Sequence, residues 1–459
     1  MLLRFAVENF LSFKDLQEFK MAAGKVRKHG SHVYETEEGK RILKSGFIFG
    51  ANASGKSNLV KAIDMAKKTV LRGARIGSWH KKYFRVDSDY KDKPGLFQFD
   101  IYTEGHFYSY GFVLFYGKAE IEEEWLYCID DGEVCIFERY RADDGIMKVN
   151  SELEFDDPSE KNRFEVYKEA IDSEDMKRKM FLTDIARRSN RKSNIYKAFR
   201  DVVKWFMELV IIYPDTNYSN IIKMTHDDKM RMVFEDLLKA FDTGIIALLG
   251  AERDFEKVFI DLPEDTQASI KDRMLLSDNE DGKIRIPINL NSTRRYDLSL
   301  KKGEIMVTEI LSNHGNPDDL FEFSDESDGT RRLFDLLPIF QAAHKNRVVV
   351  IDEFDRSLHT RAAMEFIRRY FEEAKDCPSQ LIATTHDTNL LDLEVLRQDE
   401  IWFIERMDDH SSRLRPLSYY KPRFDKEVKK EYLVGRYGAV PIFDRLTLLE
   451  DEEGIDYEG

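Results

Sequence analysis

Thirteen residues, Gly46-Phe-Ile-Phe-Gly50-Ala-Asn-Ala-Ser-Gly55-Lys56-Ser57-Asn58, constrain this chain more than any other segment. Phe47, Ile48 and Phe49 form an apolar run suited to a buried strand, and Asn58-Leu-Val-Lys-Ala-Ile-Asp-Met-Ala-Lys continues with helical spacing. Between them, Gly50 and Gly55 allow a turn that points successive backbone N–H groups into one concavity, at a helix N-terminus that favours an anion. Lys56 then reaches the β and γ oxygens of a nucleoside triphosphate, and the Ser57 hydroxyl meets Mg²⁺. A Gly/Ser loop without chemistry is the bland alternative; the strand before it and the helix after it favour the phosphate loop.

With 459 residues, 42% of them hydrophobic, the chain has material for a substantial core and for two or three lobes. No membrane span or export signal is visible, since Arg4 and Glu8 interrupt the N-terminus too early, and a cytoplasmic protein is expected. Cys128, Cys135 and Cys377 have no metal-ligand spacing. Cys128 and Cys135 flank an Asp130-Asp131-Gly132 turn where they could face each other across a hairpin, but reduced thiols are expected. The net charge of −15 argues against indiscriminate coating of nucleic acid. Within Met176–Arg200, however, Lys177, Arg178, Lys179, Arg187, Arg188, Arg191, Lys192, Lys197 and Arg200 are opposed only by Asp184. That stretch reads either as a phosphate-backbone surface or as a solvated face or acidic-partner contact.

Alternating runs over 95–140 read as antiparallel strands, 161–273 as predominantly helical, and 283–311 as strands with a hairpin turn at Lys301-Lys302-Gly303. The expected organisation is a mixed α/β fold. Residues 1–155 form an N-terminal lobe with the phosphate loop and antiparallel strands, and 156–280 a helical insertion. Residues 281–405 form a second α/β lobe, and 406–459 a C-terminal segment ending in the acidic run Glu450–Glu453. No repeat or heptad run supports a long coiled-coil arm.

A second chemical element is Arg347-Val-Val-Val-Ile-Asp352-Glu353, four apolar residues delivering two carboxylates to the C-terminal end of a buried strand. Asp352 is placed to hold Mg²⁺, directly or through water, and Glu353 to polarise an attacking water. Upstream, Glu326-Ser327-Asp328-Gly329-Thr330 feeds an apolar helix whose N-terminus suits an anion. Downstream, Leu381-Ile-Ala-Thr-Thr385-His386-Asp387 is a strand ending in a histidine that can donate to a γ-phosphate. Taken singly, these two also read as an ordinary capped helix and a satisfied strand-end histidine.

Phosphate loop, Ser-x-Gly-Thr helix, Asp-Glu strand, Leu358-His359 loop and strand histidine, in that order, resemble the ABC ATPase superfamily. The chain is most similar to its OLD-like and RecF-like branch, in particular to AAA-type ATP-binding proteins of bacterial phage-resistance modules. The narrower parts of the resemblance are Phe5-x-Val7-x-Asn9-Phe10-x-Ser12-Phe13 and Glu431-Tyr-Leu-Val-Gly435-Arg-Tyr437-Gly438-Ala-Val-Pro441. It implies an ABC-type P-loop ATPase head, a mixed sheet with an antiparallel section, carrying a helical insertion lobe. It also implies ATP and Mg²⁺ as ligands. Gly50, Asn52, Ser54, Gly55, Lys56, Ser57 and Asn58 would contact the nucleotide, Ser57 and Asp352 the metal, and Glu353, Lys56 and His386 would carry the chemistry. Ser327, Gly329 and Thr330 would bind the nucleotide of a second copy, making a dimer or a multiple of dimers, with Ser357 to His359 communicating between sites.

The glutamine of the ABC Q-loop is unassigned; Gln98 lies in a strand-like segment. The signature departs from the Ser-Gly-Gly-Gln of transporters and His359 replaces their Asp, which counts against a transporter subunit; no membrane partner is expected. Only 73 residues follow His386, too few for the nuclease domain that OLD-family enzymes carry there. An R-x₄-H match, as in HEPN-type RNases, occurs at Arg75–His80 without a paired helical framework. The expectation is therefore an ATP-hydrolysing switch in antiviral defence that senses a phage product or DNA and controls a separate nuclease or toxin. A RecF-like DNA-binding repair ATPase and a low-turnover scaffold that sequesters a toxin are the alternatives.

Overall fold

The computed structural model describes the chain except residues 27, 191–192, 217–226, 277–284, 290–292, 302–303, 422–427 and 439–459. Lys302 and Gly303, Arg191 and Lys192, Ala439 to Pro441 and the acidic run Glu450–Glu453 thus lie outside the described residues.

A six-stranded sheet runs in the order Val210–Ile212, Val348–Ile351, Gln380–Thr385, Ser45–Phe49, Ile401–Arg406 and Ser412–Pro416, parallel except for the last strand. Its strands are apolar almost throughout because both faces are covered. Phe47, Phe49, Val349, Ile351 and Ala383 enter one core with the helices Asp328–Leu336 and Thr360–Glu373. Ile48, Val348, Val350 and Ile382, alternating with them, enter another core with the helix Lys56–Arg72. That helix buries Leu59, Ile63, Ala66 and Val70 at helical spacing and stops at Gly73, whose N–H bonds to the Thr69 carbonyl at φ 79°.

The second core is closed by a seven-stranded antiparallel sheet ordered Met147–Asn150, Val134–Arg141, Glu120–Cys128, His106–Phe115, Gly95–Thr103, Leu2–Glu8 and Gln17–Lys20. Phe5 and Phe99 meet across its register at 4.8 Å, and the expected strands in 95–140 are all present. Glu124, fully buried on this sheet, accepts the N–H groups of Phe181 (2.7 Å) and Leu182 (3.0 Å), so a carboxylate occupies the N-terminus of the helix Phe181–Arg188.

Within 156–280 the helices are Pro158–Glu169, Phe181–Arg188, Lys197–Glu208, Asp228–Ala240 and Glu264–Leu276, and two strands lie among them. Val210–Ile212 is too short to register as a periodic signal, yet it completes the parallel sheet beside Val349–Ile351. Ala247–Asp254, polar over its second half, is made a strand by pairing with Glu304–Asn313 over its whole length; neighbours override local preference here. It belongs to a third sheet with Arg295–Lys301, Arg285–Asn289 and Phe321–Glu322, which has its own small core around Phe259, Leu298 and Val307. Lys301 opposite Glu304 brackets the expected hairpin turn.

Two readings of side-chain clusters change. Cys128 is opposite Val134 and Cys135 opposite Tyr127, so the two thiols lie on opposite faces of the hairpin instead of facing each other. The basic stretch is largely neutralised: Lys177 pairs with Glu174, Lys179 with Asp175, Arg188 with Asp184 and Lys197 with Asp201. Three of those carboxylates lie just outside the Met176–Arg200 window, one helical turn from their cations. Arg187 and Arg200 donate to backbone carbonyls of Leu71 and Ser193. No described helix is long and apolar enough to cross a membrane.

Candidate active site

The loop after Ser45–Phe49 has the conformation its glycines predicted. Ala53 and Gly55 adopt φ 61° and 111°, and Gly55 precedes the helix Lys56–Arg72. A Cβ on Gly50 would lie 2.4 Å from the Ile404 carbonyl oxygen, and one on Gly55 would overlap the Ser412 hydroxyl, so neither position accepts a side chain. The N-terminal motif buttresses this loop: Ser12 Oγ accepts from Asn58 Nδ2 (2.8 Å) and Ser412 Oγ (2.7 Å), and Ser412 N–H donates to the Ser12 carbonyl (2.7 Å). Asn9, at φ 48°, ties the same segment to the carbonyls of Tyr90, Lys93 and Pro94.

Lys56 is buried, and its ammonium folds back onto the carbonyls of Gly50 (2.7 Å) and Ala51 (2.9 Å). Desolvation lowers its pKa to about 8, against the opposing pull of Asp352, Asp355 and Glu353. The buried Ser54 hydroxyl has no partner, and Asn52 is exposed at the loop tip. A concave backbone with no room for Cβ atoms, an under-used buried cation and an unpartnered hydroxyl fit a triphosphate. Oxygen donors at Ser57 and Asp352 fit a hard divalent cation.

The expected carboxylates arrive beside the loop. Asp352, 3% exposed, accepts from Ser57 Oγ (3.2 Å) and Thr384 Oγ1 (2.7 Å). Thr384 Oγ1 also accepts the Glu353 N–H (2.9 Å), so one buried hydroxyl fixes both members of the Asp-Glu pair. Glu353 has φ 49°, an uncommon conformation for a residue with a side chain, and its carboxylate is 3.7 Å from His386 Nε2, outside hydrogen-bond range. Both groups are about one-third exposed. The His386 N–H donates to both Asp355 oxygens at 3.2 Å.

The Ser327 turn is exposed at its first residues. Ser327 caps its own helix by accepting from Thr330 N–H (3.1 Å), the bland reading of that motif, and its hydroxyl is 2.9 Å from Thr330 Oγ1. A Cβ on Gly329 would come within 2.9 Å of the Ser357 carbonyl oxygen, so the turn packs on the Ser357–His359 loop. Ser357 is at φ 61°, and His359 caps the helix Thr360–Glu373. Further along the signature helix, Asp335 pairs bidentately with Arg295 of the third sheet (2.5 and 3.0 Å).

Several residues belong to the site although the motifs gave them no role. Thr384 occupies a buried strand end where a polar side chain needs a partner, which is a readable signal. Arg332, Ser12 and Ser412 join the site only through tertiary contacts, and Ser412 comes from the far end of the chain. Gln98 engages Ser109 Oγ (2.9 Å) on the antiparallel sheet. Arg75 and His80 are both exposed at the ends of a four-residue helix. Cys128, unremarkable by spacing, lies with His106 and Asp130 in one group; His106 Nδ1 bonds to Asp130 Oδ2 at 2.8 Å. The Glu431–Gly438 motif docks on the parallel sheet: Tyr437 and Tyr432 stack on Phe403 at 4.9 and 5.4 Å, and Tyr437 OH donates to Glu431 Oε2 (2.6 Å).

Comparison with curated proteins gives no match. Among solved structures the chain is similar to an SMC head bound to the C-winged helix domain of ScpA, at 15% identity, 90% of this chain and 96% of that one, with a TM-score of 0.37. It is also similar to the SMC head domain from Thermotoga maritima, at 13% identity, 90% and 98% coverage and a TM-score of 0.34. Residues 47–392 match the family described as "AAA domain, putative AbiEii toxin, Type IV TA system". Spanning most of the chain and both halves of the site, that match makes this protein a member of that AAA-domain family.

Proposed function

We propose that this protein hydrolyses ATP at a site completed by the Ser327 turn of a second copy, and that the resulting dimer acts as a nucleotide-gated switch over a separate effector in antiviral defence. The observation that carries the hydrolytic reading is the hydroxyl of Thr384, which fixes Asp352 against Ser57 and Glu353 beside His386 at the mouth of the phosphate loop. Bound Mg-ATP supplies the phosphoryl group and the charge that neutralises its oxygens. Lys56 exchanges the Gly50 and Ala51 carbonyls for phosphate oxygens, and the Gly50–Gly55 backbone cradles them with Asn52, Ser54 and Asn58 alongside. Ser57 and Asp352 would hold the Mg²⁺, whose charge would offset that of the phosphate oxygens. Glu353 orients and polarises the attacking water, and His386 donates to the transferred group.

The exposed Ser327 turn supports a second chain as its partner: Ser327, Gly329 and Thr330 present a helix N-terminus, and Gly329 rests on the loop of Ser357 to His359. Closing such a dimer couples ATP to whatever distinguishes its open and closed forms. The family's description, a putative toxin of a type IV toxin–antitoxin system, supports a setting in which the chain works beside a second component. A RecF-like DNA-loading role loses support, since most described cations of the basic stretch are paired within the chain. Turnover by Lys56→Ala and Glu353→Gln tests the assignment: both should fall at least about a hundredfold, Lys56→Ala with weakened ATP binding and Glu353→Gln without it. Wild-type turnover in both would overturn it.

A further inference from the structure

Arg332 lies in the helix Asp328–Leu336, five residues after Ser327, and is 4% exposed. A buried guanidinium ordinarily pairs with a carboxylate in a two-pronged contact. Among the described residues Arg332 makes no such ion pair. Its Nη2 donates to the Glu353 carbonyl (3.2 Å) and lies 3.5 Å from the Asp352 carbonyl, its Nη1 lies 3.5 Å from the Tyr213 carbonyl, and its Nε has no partner. The cation is therefore directed at the backbone of the Asp-Glu pair and is only partly satisfied there. Glu353 needs such support: its left-handed φ of 49° is strained for a residue with a side chain and persists only when surrounding contacts determine it. Thr384 holds the Glu353 N–H from one side, and Arg332 holds its carbonyl from the other.

The same helix joins this clamp to two other places. Its first turn is the exposed Ser327 turn, and one turn beyond Arg332, Asp335 is gripped by Arg295 of the third sheet. A nine-residue helix moves as one body, so displacement of the Ser327 turn displaces the guanidinium.

We infer that Arg332 is a positioning residue that carries engagement of the Ser327 turn by a second chain's nucleotide to Glu353 of its own chain. This rests on the composite-site reading and adds a direction to it. Each chain's water-activating carboxylate is aligned when that same chain's signature turn is engaged, so the two sites of a dimer fire together and ATP turnover is cooperative.

The test uses mixed dimers of the full-length chain, made by co-expression with two tags, with Mg-ATP turnover, ATP affinity and sedimentation measured on each. Pairing an Arg332→Met chain with a Glu353→Gln chain leaves the only competent carboxylate beside the missing guanidinium. Turnover is expected to fall at least about tenfold below the Glu353→Gln/wild-type dimer, with ATP affinity unchanged within about twofold. Placing both substitutions in one chain and pairing it with wild type should leave turnover equal to that reference. Arg332→Lys, which keeps one donor, is expected to recover part of the loss and serves in place of Arg332→Met if that chain fails to fold. Loss in the second arrangement but not the first, or equal turnover in both, overturns the inference. Absence of any ATP-dependent dimer of the Glu353→Gln chain alone overturns the composite-site reading instead.

Discussion

Replacing Thr384 by Val removes one oxygen and keeps the volume and β-branching, so it isolates the hydroxyl that joins Asp352 to Glu353. That hydroxyl is 1% exposed with its residue, donates to Asp352 Oδ1 at 2.7 Å and accepts the Glu353 N–H at 2.9 Å. A hydrogen bond to an ionised group contributes about 1.5–3 kcal/mol, and a stranded buried amide costs about 1–3 kcal/mol. Asp352 keeps its contact to Ser57, and Glu353 is only partly buried, so the lower half of the summed range applies and Thr384→Val should cost roughly 2.5–4 kcal/mol. Urea unfolding followed by tryptophan fluorescence measures this as a lowered midpoint at unchanged slope. Thr384→Ser retains the oxygen and gives up one methyl group, a loss of about 1 kcal/mol. Turnover should order wild type, Ser, Val, because the Glu353 backbone loses its N-terminal clamp only in the last. A Val variant within about 0.5 kcal/mol of wild type, or a Ser variant as damaging as Val, would refute the two-sided role of the hydroxyl.

Three further outcomes follow from the same geometry. Lys56 has its pKa lowered to about 8 in the free protein, and phosphate contact restores its charge. ATP binding therefore takes up a proton above about pH 8, and the dissociation constant for ATP should stay flat below that pH and rise above it, whereas a dissociation constant constant to pH 9 would contradict the buried, charged role of Lys56. Asp335→Asn breaks a buried bidentate pair and leaves Arg295 charged, so it should destabilise by about 3–5 kcal/mol, while the apolar double replacement Arg295→Met/Asp335→Leu should recover most of that in a thermal melt. Gly55→Ala meets φ 111° and the Ser412 hydroxyl together, and should abolish ATP binding in a fluorescent-nucleotide titration even where the chain still folds.

The local chemistry of this site was legible in the sequence because each motif carries its own secondary structure. Gly46 to Asn58 contains a strand, a loop and a helix start, and Val348 to Glu353 contains a buried strand and the carboxylates it delivers. Antiparallel strands over 95–140 were legible for the same reason, their alternation being complete within each strand. Contacts between distant segments were not legible. Val210–Ile212 is three residues long, Ala247–Asp254 takes its conformation from a partner more than fifty residues away, and Ser412 reaches the phosphate loop across most of the chain. The basic stretch Met176–Arg200 holds a single carboxylate within its own bounds, and the pairing that favours the solvated-face reading comes from Glu174, Asp175 and Asp201 just beyond them. Arg332 reads as one of two adjacent arginines on a helix; only its burial against the Glu353 carbonyl separates it from Arg331, which pairs with Asp328 at the surface.

In the proposed dimer, one chain's phosphate loop and another chain's Ser327 turn share a nucleotide. Sedimentation of the Glu353→Gln chain with and without Mg-ATP tests it most directly. A species of twice the chain mass should appear with ATP, be absent with ADP, and be lost when Ser327→Arg is added. A Glu353→Gln chain that binds ATP yet sediments identically with and without it, or an ATP-dependent dimer indifferent to Ser327→Arg, would contradict it.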